Sequence, residues 1–312
     1  MTAVGMTTGV DRHMAAFASE IGATAPVAVE GSRSRWHIGG DLEPGAHLVK
    51  APAGILEHKP EEMTVRARAG TSVAELHAEV ATRGQRTALA RRGGTIGGAL
   101  AVGENDLSVL GRGRIRDCVL QLSYVSAEGA VVKCGGPTVK NVSGFDLPRL
   151  IVGSLGTLGL IGEVILRTNP VPPLSRWVES SDSDPFMVLR TVARPSAVLW
   201  DGARTFVELE GYAADVQAQQ GALASIGHWA EAAGPPELPA HRWSLRPSDL
   251  RDIDQDGLGP FVACVGAGTV FASIPQPFQA PSPAIVALAG RVKRQFDPTG
   301  RLNPGRSAMR SA

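Results

Sequence analysis

The sequence predicts an α+β protein in two parts, and three features point to it. Two glycine clusters, RGGTIGGALAVG at 92–103 and GSLGTLG at 153–159, flank a pair of β-branched segments that read as a hairpin. Upstream of them the order is strand, helix, glycine-rich loop. Downstream, Pro172 and Pro173 interrupt the pattern, and a second, smaller set of strands and one helix follows.

Taken in order, Asp11 offers an N-cap to a helix in which Met14, Phe17, Ala18 and Ile21 share one face and Gly22 stops the run. Pro26 to Trp36 reads as a short strand ending in a turn at Gly31 to Arg35. Residues 46–58 and 63–70 read as strands, and in the latter Met63, Val65, Ala67 and Ala69 alternate with polar or charged residues. Ser72 and Glu75 form a capping box for a helix carrying Val73, Leu76 and Val80, with a stop at Gly84. Arg112, Arg114 and Arg116 form a charge run of the kind that faces solvent. CVLQLSYV and AVVKCGG, joined by SAEG, make the hairpin. Asp146 caps a short helix with Pro148 in its first turn, placing Leu147, Leu150 and Ile151 inward. LIGEVILRT is a buried strand. In the second part PSAVLWDG and TFVELEG are strands and AADVQAQQGALASI is a helix. Ile285, Leu288, Ala289, Val292 and Phe296 recur at helical spacing, so the last helix is expected to return to the first part.

At 312 residues the chain can bury a substantial core. Its 31 Lys and Arg against 30 Asp and Glu give no electrostatic footprint for nucleic acid or membrane. No signal peptide and no bilayer-spanning run is evident, so a cytoplasmic location is expected, with any membrane association through partners. Cys118, Cys134 and Cys264 are too few and too scattered for a disulfide framework or a metal cluster. Seven histidines include no pair at ligand spacing, so no metal is assigned.

Glycines at 93, 94, 97 and 98 free the backbone to touch a ligand, and exposed N–H groups in such a turn suit a pyrophosphate. Gly153, Gly156 and Gly159 repeat the pattern, with Ser154 and Thr157 as side-chain donors. Ordinary tight turns are the competing explanation for either cluster. In the turn at 31–35, Ser32 and Ser34 can donate, and Arg33 or Arg35 can offset phosphate charge. A polar surface turn would look the same.

TIGG, VKNVSGFDLPRLIVGSLGTLG and FDPTGRLNPGR together resemble the FAD-binding domain of the vanillyl-alcohol-oxidase (PCMH-type) flavoproteins, nearest to the glycolate oxidase E subunits, relatives of the D-lactate dehydrogenases. The resemblance implies an FAD-binding domain of two α/β subdomains over 1–170, a small α+β cap over 171–280, and a C-terminal helix and tail, 281–312, returning to the first domain. It places a phosphate loop at 31–35, poorer in glycine than usual, and flavin loops at 92–103 and 140–159. The cofactor-binding residues it implies are Gly31, Ser32, Arg33, Ser34, Gly94, Thr95, Ile96, Gly97, Gly98, Gly153, Ser154, Gly156, Thr157, Gly159, Ile161 and Asn303, with Arg306 reaching the flavin edge. One arginine of the 112–116 run is an alternative neighbour of the ring. No histidine stands at the position some relatives use for covalent attachment, and His37 lies beyond it, so FAD is expected to bind non-covalently.

The family's metal-binding histidine run is absent, and no catalytic base is identified. Candidate catalytic or substrate-binding groups are Lys140, Arg242 and Arg246. Asn141 and Arg149 belong to the family motif and serve to hold its loop. The function implied is the FAD-binding subunit of a 2-hydroxy-acid oxidase or dehydrogenase, working with a catalytic flavoprotein subunit and an iron-sulfur subunit. A self-sufficient FAD-dependent oxidoreductase of a small hydroxy acid or alcohol is the alternative, and a degenerate scaffold the third.

Overall fold

Helix α1 (Arg12–Ile21) begins where the Asp11 carboxylate accepts the His13 N–H at 3.0 Å, and it buries Met14, Phe17 and Ile21. The computed structural model describes residues 11–137 and 146–310. Two short strands, β1 (Val27–Val29) and β2 (His47–Val49), pair in parallel, and Leu302 from the C-terminal tail bridges to Val27. The buried Arg301 beside it donates to the carbonyls of Ile21, Ala25 and Ala127 at 2.7, 2.8 and 3.0 Å. The tail is thereby part of the first layer of the molecule.

Strands β3 (Ile55–Lys59) and β4 (Thr64–Arg68), helix α2 (Val73–Ala81), strand β5 (Gln85–Arg86) and helix α3 (Ile96–Val102) follow. Ser72 Oγ accepts the Glu75 N–H at 3.0 Å, the cap expected for α2. Two single turns, α4 (Val109–Arg112) and α5 (Ile115–Cys118), lead to the hairpin β6 (Val119–Val125) and β7 (Val131–Gly135). After α6 (Leu147–Ile151) come β8 (Leu160–Arg167) and β9 (Asn169–Pro170), the last paired with β5. The antiparallel sheet runs β3-β4-β8-β6-β7. Strand β8 is central and buried over all but its last residue, because α1 covers one face and α2 and α3 cover the other. That double cover explains its unbroken apolar sequence.

The second part is one antiparallel sheet, β13-β10-β12-β11-β15-β16-β14. Its elements are β10 (Leu174–Ser180), α7 (Pro185–Thr191), β11 (Ala197–Trp200), β12 (Thr205–Gly211), α8 (Ala213–Ala224), β13 (Ala230–Ala232), β14 (His241–Ser244), β15 (Phe261–Cys264) and β16 (Thr269–Ala272). Helices α7 and α8 pack Val188, Val216 and Leu223 against Val178, Val207 and Leu209 on one face. The other face, with Leu199, Phe206, Cys264 and Phe271, receives Leu107 from the first part. Helix α9 (Pro283–Phe296) then leads to the tail.

Four expectations are corrected by packing. Met63 is 37% exposed, because it closes the 3-10 turn Pro60–Glu62 in the left-handed region, and the buried alternation begins at Thr64 and Val65. Leu150 points outward although Ile151 is fully buried. In α9 only Val292 and Phe296 reach the first core; Ile285 and Leu288 are 54% and 53% exposed. Arg112 is not solvated like Arg114 and Arg116: it is held by Asp106, Glu208 and Glu210.

Candidate cofactor site

Past β1 the Glu30 N–H still bonds to Val49, at 2.8 Å, but the next five N–H groups, Gly31 to Arg35, have no acceptor among the described residues. Pairing resumes with Trp36, whose N–H donates to the Arg33 carbonyl. Arg33 lies in the left-handed region at φ +58°, which curls the segment. These residues line a small cleft of about 100 Å³ together with Thr95, Gly98, Asn303 and Arg306. A curled run of unpaired N–H groups is an anion cradle made of main chain, and it needs no glycine at every position. A turn as poor in glycine as this one can therefore still present its N–H groups to an anion.

The two arginines of the loop behave differently. Arg33 turns away to Glu30, at 2.6 Å, and stacks on Trp36, so only its backbone serves the cleft. Arg35 is buried. Its Nε meets Glu104 at 2.5 Å and Nη1 reaches Gly93 O and Ser34 Oγ, both at 3.0 Å, while Nη2 has no partner among the described residues.

Gly94 faces this loop at φ +84°, where a Cβ would fall 2.6 Å from Ser34 Oγ and run into the Arg35 guanidinium. Thr95 caps α3 by accepting the Gly98 N–H at 3.2 Å and lines the cleft. Gly97 has a different reason to be glycine than closeness to a ligand. Its N–H donates to Ala69 O at 2.7 Å, and a Cβ there would stand 2.9 Å from the Ala69 methyl, so the bare position lets α3 sit against the end of β4. Gly97 and Gly98 take ordinary helical entry angles, not positive φ.

A second space adjoins the first and shares Gly31, Thr95, Gly98 and Asn303 with it; Gly97, Gly156 and Ile161 are on its wall. Asn303 ties the two together: its Nδ2 donates to Leu155 O at 2.6 Å and its Oδ1 accepts the Val29 N–H at 3.3 Å. Arg306 braces the loop by donating to the carbonyls of Trp36 and Ile38. Other expected members stand back from the cleft. Ile96 is core, the Gly153 N–H bonds to Leu100 O, Thr157 Oγ1 donates to Ser154 O at 2.7 Å, and Gly159 gives way to the Tyr124 ring. Ser154 Oγ is buried with no partner among the described residues.

Towards the second part, Arg92 lies 3.4 Å from Glu104 and 4.6 Å over the Phe271 ring of β16. Arg242, on the neighbouring β14 and in register with Phe271, is the group sequence reading only half isolated. Burial pulls its pKa down; Glu104, Arg92 and Arg35 are the charges around it, and it makes no side-chain hydrogen bond or ion pair among the described residues. Three guanidinia around one carboxylate leave this wall positive. Arg246, by contrast, is exposed and paired with Asp249 at 2.9 Å. Arg149 is a surface partner of Asp117 and Asp146. Lys140 and Asn141 lie outside the described residues. Glu104 and Arg92 were missed, since nothing local in ENDLS or ARRGG marks a side chain that will meet β14 and β16, far along the chain.

Residues 15–135 match the FAD binding domain family. Glycolate oxidase subunit GlcE of Escherichia coli is 31% identical over 154 residues, 48% of this chain and 44% of that protein. Glycolate oxidase subunit GlcD of Bacillus subtilis is 35% identical over 128 residues, 40% of this chain and 27% of the relative. The matches thus span less than half the length of either relative. Among solved structures, alkyldihydroxyacetonephosphate synthase superposes with a TM-score of 0.65 at 14% identity, over 90% of this chain and 71% of that one, a likeness of fold. The residues present fit FAD: five unpaired N–H groups in a curl and the unpartnered Arg35 Nη2 on the cleft wall are donors in want of acceptors. Residues 15–135 of this α+β chain are thus similar to the FAD binding domain family, the chain is similar in part to the glycolate oxidase subunits, and FAD is its cofactor.

Proposed function

We propose that the chain is an FAD-dependent oxidoreductase acting on a small 2-hydroxy acid, as the FAD-binding subunit of a larger oxidase or dehydrogenase. The observation that carries this is the cradle of free N–H groups at 31–35 placed against Arg35, with a positive wall opposite. Bound FAD supplies the two-electron redox chemistry, and the chain supplies binding and orientation. In this proposal Gly31 to Arg35 take the pyrophosphate, Asn303 and Gly156 border the ring, and Arg242 receives the substrate carboxylate beside Arg92. The cofactor is held without a covalent bond. The named subunits among the relatives support the assembly, which would add a catalytic flavoprotein subunit and an iron-sulfur subunit in the cytoplasm. Among the described residues no helix is long and apolar enough to cross a membrane.

One observation favours the single-chain alternative: Arg242 is a largely buried cation already in place without a partner subunit. The flavin-loaded chain, mixed with glycolate or D-lactate and an artificial electron acceptor, separates the two. Turnover that appears only with co-purified neighbours is expected; full turnover by the chain alone refutes the subunit role. Acid precipitation should release the yellow flavin into the supernatant, and colour retained in the pellet would refute non-covalent binding.

A further inference from the structure

Two carboxylates on β12 reach across from the second sheet into the first part. Glu210 receives Arg86 bidentately, at 2.5 and 2.8 Å, and also accepts from Ser196 at 2.7 Å, with Arg112 Nη2 at 3.5 Å. Two residues earlier on the same face, Glu208 meets Ser108 Oγ at 2.5 Å and Ser175 Oγ at 3.3 Å, with Arg112 Nη2 at 3.9 Å. Arg112 also holds Asp106 at 3.1 Å. None of these five charged side chains is more than 14% exposed. Ser196 closes the seam from the second side, accepting the Gly111 N–H on its carbonyl at 3.2 Å, where a Cβ on Gly111 would collide with it.

The network sits at the hinge. Arg86 in β5 pairs with Asn169 in β9, just before the connecting residues 171–173, and Glu210 pairs with Ser175 just after them. Burial pushes the Glu208 carboxyl up, with Glu210 adding to it against the Ser108 bond. Beside it Asp106 and Glu210 face Arg86 and Arg112, two against two. His77, which senses both Asp106 and Arg112, is kept neutral by its own burial.

We propose that Arg86, Arg112, Glu208 and Glu210 form a lock beside the connection between the two parts, which sets how the second sheet is held against the first part where Arg92 stacks on Phe271 and Arg242 meets the charges of Arg92 and Glu104. These are positioning residues. Buried pairs resist one-sided removal, because the partner left behind is an uncompensated charge, so such a lock is stiff and fails by breaking.

The test follows thermolysin cleavage of the Pro173–Leu174 bond at the end of the connecting residues in the full chain, with and without FAD, and titrates the flavin-loaded protein with oxalate while reading the flavin absorbance. Glu210→Gln is expected to speed cleavage at least tenfold and to weaken the oxalate response at least tenfold, with FAD affinity unchanged. Glu208→Gln, neutral like the protonated acid, is expected to match the unaltered protein in both. Should Glu210→Gln fail to fold, Arg86→Lys keeps the charge, loses the bidentate fork and is expected to fall between them. Cleavage at the unaltered rate in Glu210→Gln or Arg86→Lys overturns the lock. Only the oxalate arm rests on the proposed function: an unaltered protein blind to oxalate sinks the Arg242 assignment, and cleavage still decides the lock.

Discussion

The two parts of the molecule build their halves of the site from different material. The first uses main chain: a curl of unpaired N–H groups at 31–35, a left-handed Gly94 against it, and Asn303 brought back by the tail. The second uses side chains standing on a regular sheet, with Arg242 on β14 and Phe271 on β16. A backbone site holds a group common to many ligands, such as pyrophosphate, and tolerates little change in its turns. A side-chain site tolerates substitution of its frame but loses its function with a single residue. The two should therefore break differently.

The largest effect is expected at Arg301, where one guanidinium satisfies carbonyls from the end of α1, the segment before β1 and the β6–β7 turn. Arg301→Ala should cost about 3 kcal/mol or more, because buried acceptors are left bare, and thermal unfolding should show it whether or not FAD is present. An unchanged melting temperature would mean that the tail does not tie the first layer. Next comes Gly94→Val, which adds a clash with Ser34 and the Arg35 side chain to a positive φ. The strain alone is roughly 1–2 kcal/mol, so FAD affinity by fluorescence quenching should fall about tenfold or more while the second sheet keeps its stability. Equal affinity would remove the 92–103 loop from the site.

Legibility followed the same division. The turn at 31–35 and the glycine at 94 were legible as backbone features because such turns need particular residue types at adjacent positions. The caps at Asp11, Ser72 and Asp146 were legible for the same local reason. Gly97 and Gly159 were legible as glycines, and the neighbours that crowd them, Ala69 just past β4 and Tyr124 of β6, are distant in sequence. Ile285 and Leu288 show the limit of periodicity: the stripe is real, but only its Val292 and Phe296 end meets a neighbour. Arg242 and Arg246 look alike in HRWSLRPSDL, and only the β14–β16 register tells the inward one from the outward one.

That pair gives the third prediction. Arg242→Met should leave FAD affinity unchanged and reduce the response of the bound flavin to a carboxylate at least tenfold, as loss of a charge-assisted contact of about 1.5–3 kcal/mol requires. Arg246→Met should change neither, because its ion pair with Asp249 is exposed and screened. Equal behaviour of the two variants would show that the positive wall is not a ligand wall.

The smallest effect is in pH, and it comes from the two glutamates of β12, which shift in opposite directions. Burial raises Glu208, so its contribution to stability is fully present below the usual glutamate range, about 4.3, and is lost as pH rises through the higher folded value. For Glu210, burial pushes up but the hydrogen bonds from Arg86 and Ser196 outweigh it, so the carboxyl lies low. Its contribution is present above the usual range and is lost as pH falls through the folded value. Neutral His77, whose pKa is lowered, adds to the acid-side loss because it must take a proton in the unfolded chain first. Glu208→Gln should therefore flatten the fall in melting temperature on the alkaline side of the glutamate range and keep the fall on the acid side, while Glu210→Gln should weaken the acid-side fall. The shifts amount to roughly 2 °C for each kcal/mol involved in a chain of this size. If Glu208→Gln instead flattens the acid side, the carboxyl is ionised in the folded protein, and the two-against-two balance at the hinge is wrong.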